Sequence, residues 1–218
     1  MLLMRLLLTL VFSFFFINAF AQMSDSIKVL FIYGSKPARE FKNTEHRWFG
    51  GVRGGHVAIQ IGPDKVLSFR STKYNPCHIL SARHSAKYAS VFEIRTVHAT
   101  WEIFPPHNYI IDSLKRAEVV IPIDSTQRAR IDSITKAYTK QAPYDYAVFG
   151  MRCASSSYEV LGQIGGILST HKHLDWLRVF TVKNLRTLLF KKAEKNKDKG
   201  WIKRIYPGSS KRIWEKDW

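Results

Sequence analysis

The chain has 218 residues and a formal charge of +17, with 34 Lys and Arg against 17 Asp and Glu. Once the apolar residues 1–21 are set aside, the remaining 197 fit a single globular domain that buries a core without disulfide support. Two cysteines are too few for a disulfide scaffold, and the lack of internal repeats excludes a solenoid.

The N-terminus has the three parts of a secretory signal in the right order. Arg5 provides a positive start, Leu6 to Ile17 is almost entirely apolar, and Ala19-Phe20-Ala21 places small residues at the cleavage positions. We predict cleavage near Gln22 and export to the periplasm or the extracellular space. The alternative is an uncleaved anchor, because residues 2–21 approach the ~20 apolar residues that span a bilayer. No later apolar run is that long, so we expect no transmembrane segment in the mature chain.

Hydrophobic periodicity predicts strands first and helices later. Apolar and polar positions alternate around residue 56, which places His56 and Gln60 on one face of a strand, and a Gly-Pro turn leads into the next strand. Asp124 and Gln127 have capping-box spacing, so we expect a helix from there to about Thr139. This order favours an α+β fold with an antiparallel sheet packed against helices. The predicted strands cover residues 27–33, 56–61, 66–70, 90–97 and 118–123, a second helix begins near Cys153, and a basic amphipathic stretch covers residues 174–193.

The last part of the chain is the most cationic. Residues 182–218 hold twelve Lys or Arg and four Asp or Glu, and we treat them as a basic C-terminal tail behind a domain at residues 22–181. Such a tail suits anionic lipid, an acidic wall polymer or nucleic acid. Export disfavours nucleic acid and leaves an anionic envelope surface as the expected partner. The alternative is a solvated tail that binds nothing.

Cys153 and His56 are the candidate reactive pair. A thiol hydrolase needs a cysteine of lowered pKa, an imidazole that carries the proton and a polar group that orients the imidazole. A helix N-terminus lowers a thiol pKa, and Cys153 lies at the predicted start of a helix. The alternatives are an inert core thiol and a disulfide with Cys77, which an oxidising compartment permits. The histidines, including His171 and His173, show no metal-site spacing, so we expect no metal.

Two segments, GHVAIQIGPDKVLSF at residues 55–69 and YDYAVFGMRCASSSYEVL at residues 144–161, resemble the circularly permuted, YiiX/LRAT-like branch of the papain-like NlpC/P60 superfamily. In that branch the strand that carries the His precedes the helix that carries the Cys. The resemblance covers about residues 50–165. It implies a permuted papain-like fold with the nucleophilic Cys at a helix N-terminus.

Carried over by position, the resemblance implies Cys153 as the nucleophile and His56 as the general base and later the general acid. The third polar position falls at Ser68, where the family usually has His or another stronger orienting group. Gln60, on the same strand face as His56, is the alternative. The resemblance implies no organic cofactor.

Together these residues predict an exported cysteine hydrolase that cleaves amide bonds through an acyl-enzyme. Tyr146, or alternatively Tyr144, is expected to donate to the oxyanion beside the Cys153 backbone N–H. Cell-wall peptides are the expected substrate outside the cytoplasm, and a lipid ester or amide hydrolase or acyltransferase is the alternative within the family. A catalytically silent envelope-binding domain is the other alternative, because Ser68 is a weak orienting group.

Overall fold

The computed structural model describes residues 25–33, 55–71, 78–80, 90–101, 116–169, 179 and 181–206. The predicted signal peptide, Cys77 and the pair His171 and His173 lie outside the described residues. In the described part of the chain, an antiparallel sheet packs against helices in an α+β architecture. The predicted fold class is confirmed at this level.

The described residues form strands β1 (Ser26–Tyr33), β2 (Gly55–Gly62), β3 (Lys65–Ser71), β4 (His78–Leu80), β5 (Ser90–Arg95), β6 (Arg116–Pro122), β7 (Ala147–Phe149) and β8 (Ile202–Tyr206). The α-helices are α1 (Val97–Trp101), α2 (Ser125–Lys140), α3 (Cys153–Ile164) and α4 (Val182–Lys195), and a 3-10 turn covers Lys197–Lys199. Six strands form one sheet in the order β5-β3-β2-β1-β6-β8, with every neighbouring pair antiparallel. Strands β4 and β7 form a separate parallel pair.

Strands β2 and β3 form the predicted hairpin, but they pair over only part of their length. Their register runs from the turn to the pair formed by Ile59 and Leu67. Beyond that point β3 continues to pair with β5 as far as Ser71, whereas residues 55–58 of β2 and 68–71 of β3 are not paired with each other. This leaves a gap between two central strands, and the candidate site lies at this gap.

The sheet buries apolar side chains on both faces, and the larger cluster lies on the face covered by α2, α3 and α4. Because side chains alternate along a strand, Val57 and Ile59 face these helices, whereas His56 and Ala58 face the other way. The smaller cluster on that second face consists of Leu30, Ile32, Ala58 and Val66.

Helix α2 begins with the predicted capping box, which is confirmed. The Gln127 backbone N–H donates to the Asp124 carboxylate over 2.8 Å, and the Asp124 N–H donates to the Gln127 side chain over 3.0 Å. The Gln127 amide also donates to the Gly165 carbonyl over 2.7 Å, which joins the start of α2 to the end of α3.

The strand predicted for residues 90–97 is too long. Strand β5 ends at Arg95, and α1 begins at Val97. The Thr96 hydroxyl accepts the Ala99 N–H over 3.0 Å, and the Asp64 carboxylate accepts the Val97 N–H over 2.8 Å. These acceptors satisfy N–H groups that a helix start leaves unpaired, so capping overrides the β-branched run at residues 96–97.

The folded part of the chain extends into the segment predicted to be a basic tail. Leu185 and Leu189 of α4 are fully buried in the main core, and β8 pairs with β6 at the edge of the sheet. The apolar stripe of α4 packs on the sheet, while Lys191 and Lys195 on the opposite side of the helix are exposed, as in an ordinary surface helix. Among the described residues, no helix is long and apolar enough to cross a membrane.

Candidate active site

Cys153 is the first residue of α3, as predicted, and its thiol is free and only 5 % exposed. The helix begins here because local hydrogen bonds fix its first turn. The Arg152 backbone N–H donates to the Ser155 hydroxyl over 2.7 Å, and the Arg152 carbonyl accepts the Ser156 N–H over 2.8 Å. The short polar side chains that follow the cysteine therefore position it.

The sulfur of Cys153 lies where β2 and β3 separate. The backbone N–H groups of Val57 and Ala154 both donate to it, and the Tyr146 hydroxyl lies 3.9 Å away. Val57 can donate to the sulfur because β2 is not paired with β3 at this point. The structure thus brings Cys153 to the residue that directly follows His56.

Burial raises the pKa of the Cys153 thiol above its ordinary value. The Arg152 charge and the N–H and O–H donors act in the opposite direction, but the desolvation is larger. A lowered pKa was expected from the helix N-terminus, and the direction of that expectation is wrong. A helix end contributes only about 0.3–1 kcal/mol, which is small beside the cost of a buried thiolate.

His56 lies one residue inside β2 and is bonded to Ser68. The His56 Nε2 and the Ser68 hydroxyl are 3.0 Å apart, and both side chains are buried, at 7 % and 0 % exposure. Burial, with smaller contributions from the charges of Arg95 and Arg70, lowers the pKa of His56 to about 3. The imidazole is therefore neutral at neutral pH.

Gln60 does not share this hydrogen bond. Its side-chain amide donates to the carbonyl of Gly62 over 3.0 Å and to that of Pro63 over 2.8 Å. Four residues along a strand also separate it from His56 by about 13 Å. Of the two residues considered for the third position, Ser68 contacts His56 and Gln60 supports the hairpin turn.

Of the two candidate tyrosines, Tyr146 lies beside the sulfur. Its ring stacks on Phe69 with the ring centres 5.5 Å apart, and its backbone N–H donates to the Ser90 hydroxyl over 2.7 Å. Burial, followed by the nearby Cys153, raises the pKa of Tyr146, so its hydroxyl stays protonated and can donate. The Tyr144 ring packs edge-on against Phe69, in the aromatic part of the core.

Arg152 is a site residue that the sequence analysis did not identify. Its guanidinium hydrogen-bonds the Tyr146 hydroxyl, and its charge acts on the Cys153 thiol. This role could have been predicted from the sequence, because Arg152 is a basic residue directly before the candidate nucleophile. The role of the Val57 N–H could not be predicted from the sequence, because a free backbone donor depends on where the strand pairing stops and not on the residue type.

Comparison of the chain with protein-family models, with curated proteins and with solved structures gave no match. The site must therefore be judged on its own geometry. Among the described residues, no group of three or more His, Cys, Asp or Glu side chains is arranged to hold a metal ion.

Proposed function

We propose that the protein is an exported cysteine hydrolase with a permuted papain-like fold, in which Cys153 is the nucleophile and His56 the proton carrier. The observation that carries the proposal is the position of the Cys153 sulfur on the Val57 N–H, directly after His56, whose side chain is held by Ser68. The His56 side chain projects from the other face of β2, so the proposed proton transfer runs through the gap between β2 and β3. A cysteine at a helix start and an oriented histidine at the same strand end are the parts that acyl transfer requires.

The reaction begins from the neutral pair. As the Cys153 sulfur bonds to the substrate carbonyl carbon, its proton passes to His56, which avoids a free thiolate in a buried site. The negative charge that develops on the carbonyl oxygen is stabilised by the donors around the sulfur, with the Arg152 charge behind Tyr146. His56 then gives the proton to the leaving amine, and a thioester remains.

Water completes the cycle. Its oxygen bonds to the thioester carbonyl while His56 accepts one of its protons. The C–S bond then breaks, and the proton returns to the Cys153 sulfur, which regenerates the starting thiol and releases a carboxylic acid. No redox partner is needed at any step.

Cell-wall peptides are the proposed substrates. The predicted signal peptide places the protein where such amides occur, and a net positive chain suits an anionic wall. Lipid esters and amides undergo the same acyl transfer, so the test includes both classes.

The decisive experiment compares the full chain with Cys153→Ala and Cys77→Ala on muropeptides and on acyl esters, together with an acyl-directed thiol probe. We expect turnover and probe labelling in the parent and in Cys77→Ala, and loss of both in Cys153→Ala. Muropeptide turnover that survives in Cys153→Ala would overturn the proposal.

One set of observations favours a second candidate, a catalytically silent domain that binds the envelope. The thiol is buried with a raised pKa, and Ser68 brings no charge to His56. In that case the parent chain neither turns over a substrate nor reacts with the acyl-directed probe, although Cys153 still alkylates after unfolding.

A further inference from the structure

The outer side of α4, the 3-10 turn and β8 form one continuous surface, called here the α4–β8 surface. Strand β8 is an edge strand of the sheet, and α4 packs beside it. The Lys203 ammonium lies over the Phe190 ring of α4 at 5.3 Å and also contacts Glu194 at 2.5 Å. These contacts hold the strand and the helix together as a single face.

This surface is strongly cationic. Residues 182–206 hold nine Lys or Arg against two Asp or Glu. Glu194 is shared between Lys203 and Lys197, and these two partners lower its pKa to about 2, so it remains ionised. Lys191, Lys195 and Lys199 are exposed and have no carboxylate partner among the described residues.

An exposed isoleucine lies within the same surface. Ile205 of β8 is 47 % exposed and projects from the same strand face as Lys203, towards α4, whereas Ile202, 44 % exposed, projects from the opposite face. Trp201, half-buried against the core, directly precedes the strand. Lysines on an edge strand usually protect it against aggregation, whereas exposed isoleucines on such a strand promote aggregation.

We propose that the α4–β8 surface docks on an anionic lipid bilayer, with the lysines at the phosphate headgroups and Ile205 at the boundary of the acyl chains. Cations and exposed apolar side chains on one face are the combination that interfacial binding uses. A polyanion such as a wall polymer would engage the lysines but would gain nothing from Ile205. This inference is independent of the Cys153 chemistry.

The test is co-sedimentation of the chain from Gln22 onward with vesicles of phosphatidylglycerol and phosphatidylcholine, and with pure phosphatidylcholine vesicles. We expect at least tenfold tighter binding to the anionic vesicles, with an affinity that falls as salt rises. The variant Lys191→Glu/Lys195→Glu/Lys199→Glu should lose at least 30-fold in affinity, since each basic residue near the membrane contributes about fivefold.

Two further variants separate lipid from other anions. Ile205→Ser should weaken vesicle binding severalfold and leave the salt dependence unchanged. The matched control, Lys136→Glu/Lys140→Glu on the exposed face of α2, should bind within twofold of the parent. Equal binding to both vesicle types, an unchanged affinity in the isoleucine variant, or an equal loss in the α2 control would each overturn the proposal. Cys153→Ala should bind vesicles like the parent, so the outcome is separate from that of the hydrolase test.

Discussion

At the scale of single residues, burial and hydrogen bonding act on the Cys153 thiol in opposite directions. The sulfur loses water, which favours the neutral thiol, and gains donors that favour the thiolate. In the proposed mechanism the same donors stabilise the carbonyl oxygen as it acquires charge, so they contribute more in the transition state than at rest. The raised pKa of Cys153 and the lowered pKa of His56 both oppose proton transfer between them, so the proposed catalysis depends on this stabilisation of the transition state.

Tyr146→Phe should raise the thiol pKa further, because it removes an O–H donor that faces the sulfur. We expect alkylation of Cys153 by iodoacetamide at pH 8 to slow by about two- to tenfold, the equivalent of one hydrogen bond of about 0.5–1.5 kcal/mol. The rate should be measured against pH by mass spectrometry. Tyr144→Phe is the matched control and should leave the profile unchanged, and an equal shift in both variants would show that the Tyr146 hydroxyl has no specific effect.

Ser68→Ala should lower activity more than stability. The substitution leaves a buried His56 nitrogen without its hydroxyl partner, which costs about 1–3 kcal/mol of unfolding free energy, and it frees the ring to rotate. We expect kcat to fall at least tenfold while KM changes little. Gln60→Ala provides the contrast, because it removes two hydrogen bonds of the hairpin turn and should lower stability with kcat unchanged. A Ser68→Ala enzyme with parental kcat would remove Ser68 from the mechanism.

At the scale of elements, short sequence motifs predicted the structure correctly wherever a turn or a helix cap determines it. The Gly-Pro turn predicted the hairpin, the Asp124 and Gln127 spacing predicted the start of α2, and the start of α3 fell at Cys153. The gap between β2 and β3 was not predictable, because the helix start that fills it is about a hundred residues away in sequence. The folding of the C-terminal segment was not predicted either, because the many lysines of α4 obscure the apolar stripe that packs in the core.

Asp124→Ala should destabilise the protein by about 1 kcal/mol, because it removes the side-chain acceptor at the start of α2. Urea unfolding followed by circular dichroism measures the change. Asp124→Asn keeps a side-chain oxygen at the same position and should retain most of the stability. If the Ala and Asn variants are equally unstable, the loss comes from charge rather than from the cap.

At the scale of the whole molecule, the buried His56 links stability to pH. Its pKa is about 3 in the folded protein against an ordinary value of 6.5, so below pH 6.5 the unfolded chain binds a proton that the folded chain does not. Stability is therefore fully present above pH 6.5 and falls as the pH drops towards 3. At about 1.4 kcal/mol per pH unit, the loss between pH 6.5 and 4.5 is about 2.5 kcal/mol.

His56→Gln should remove most of this pH dependence, because glutamine fits a buried polar site without titrating. Urea unfolding of the parent and the variant at half-unit steps from pH 7.5 to 4.5 gives the two slopes. The exposed His98 supplies a second histidine variant, and the slope of His98→Gln is measured in the same way. Carboxylates such as Asp25, whose pKa is lowered by Arg128, contribute equally in all three proteins, so the difference in slope isolates His56. A parental slope in His56→Gln would mean that the imidazole is not neutral in the folded protein, and the neutral-pair mechanism would fail with it.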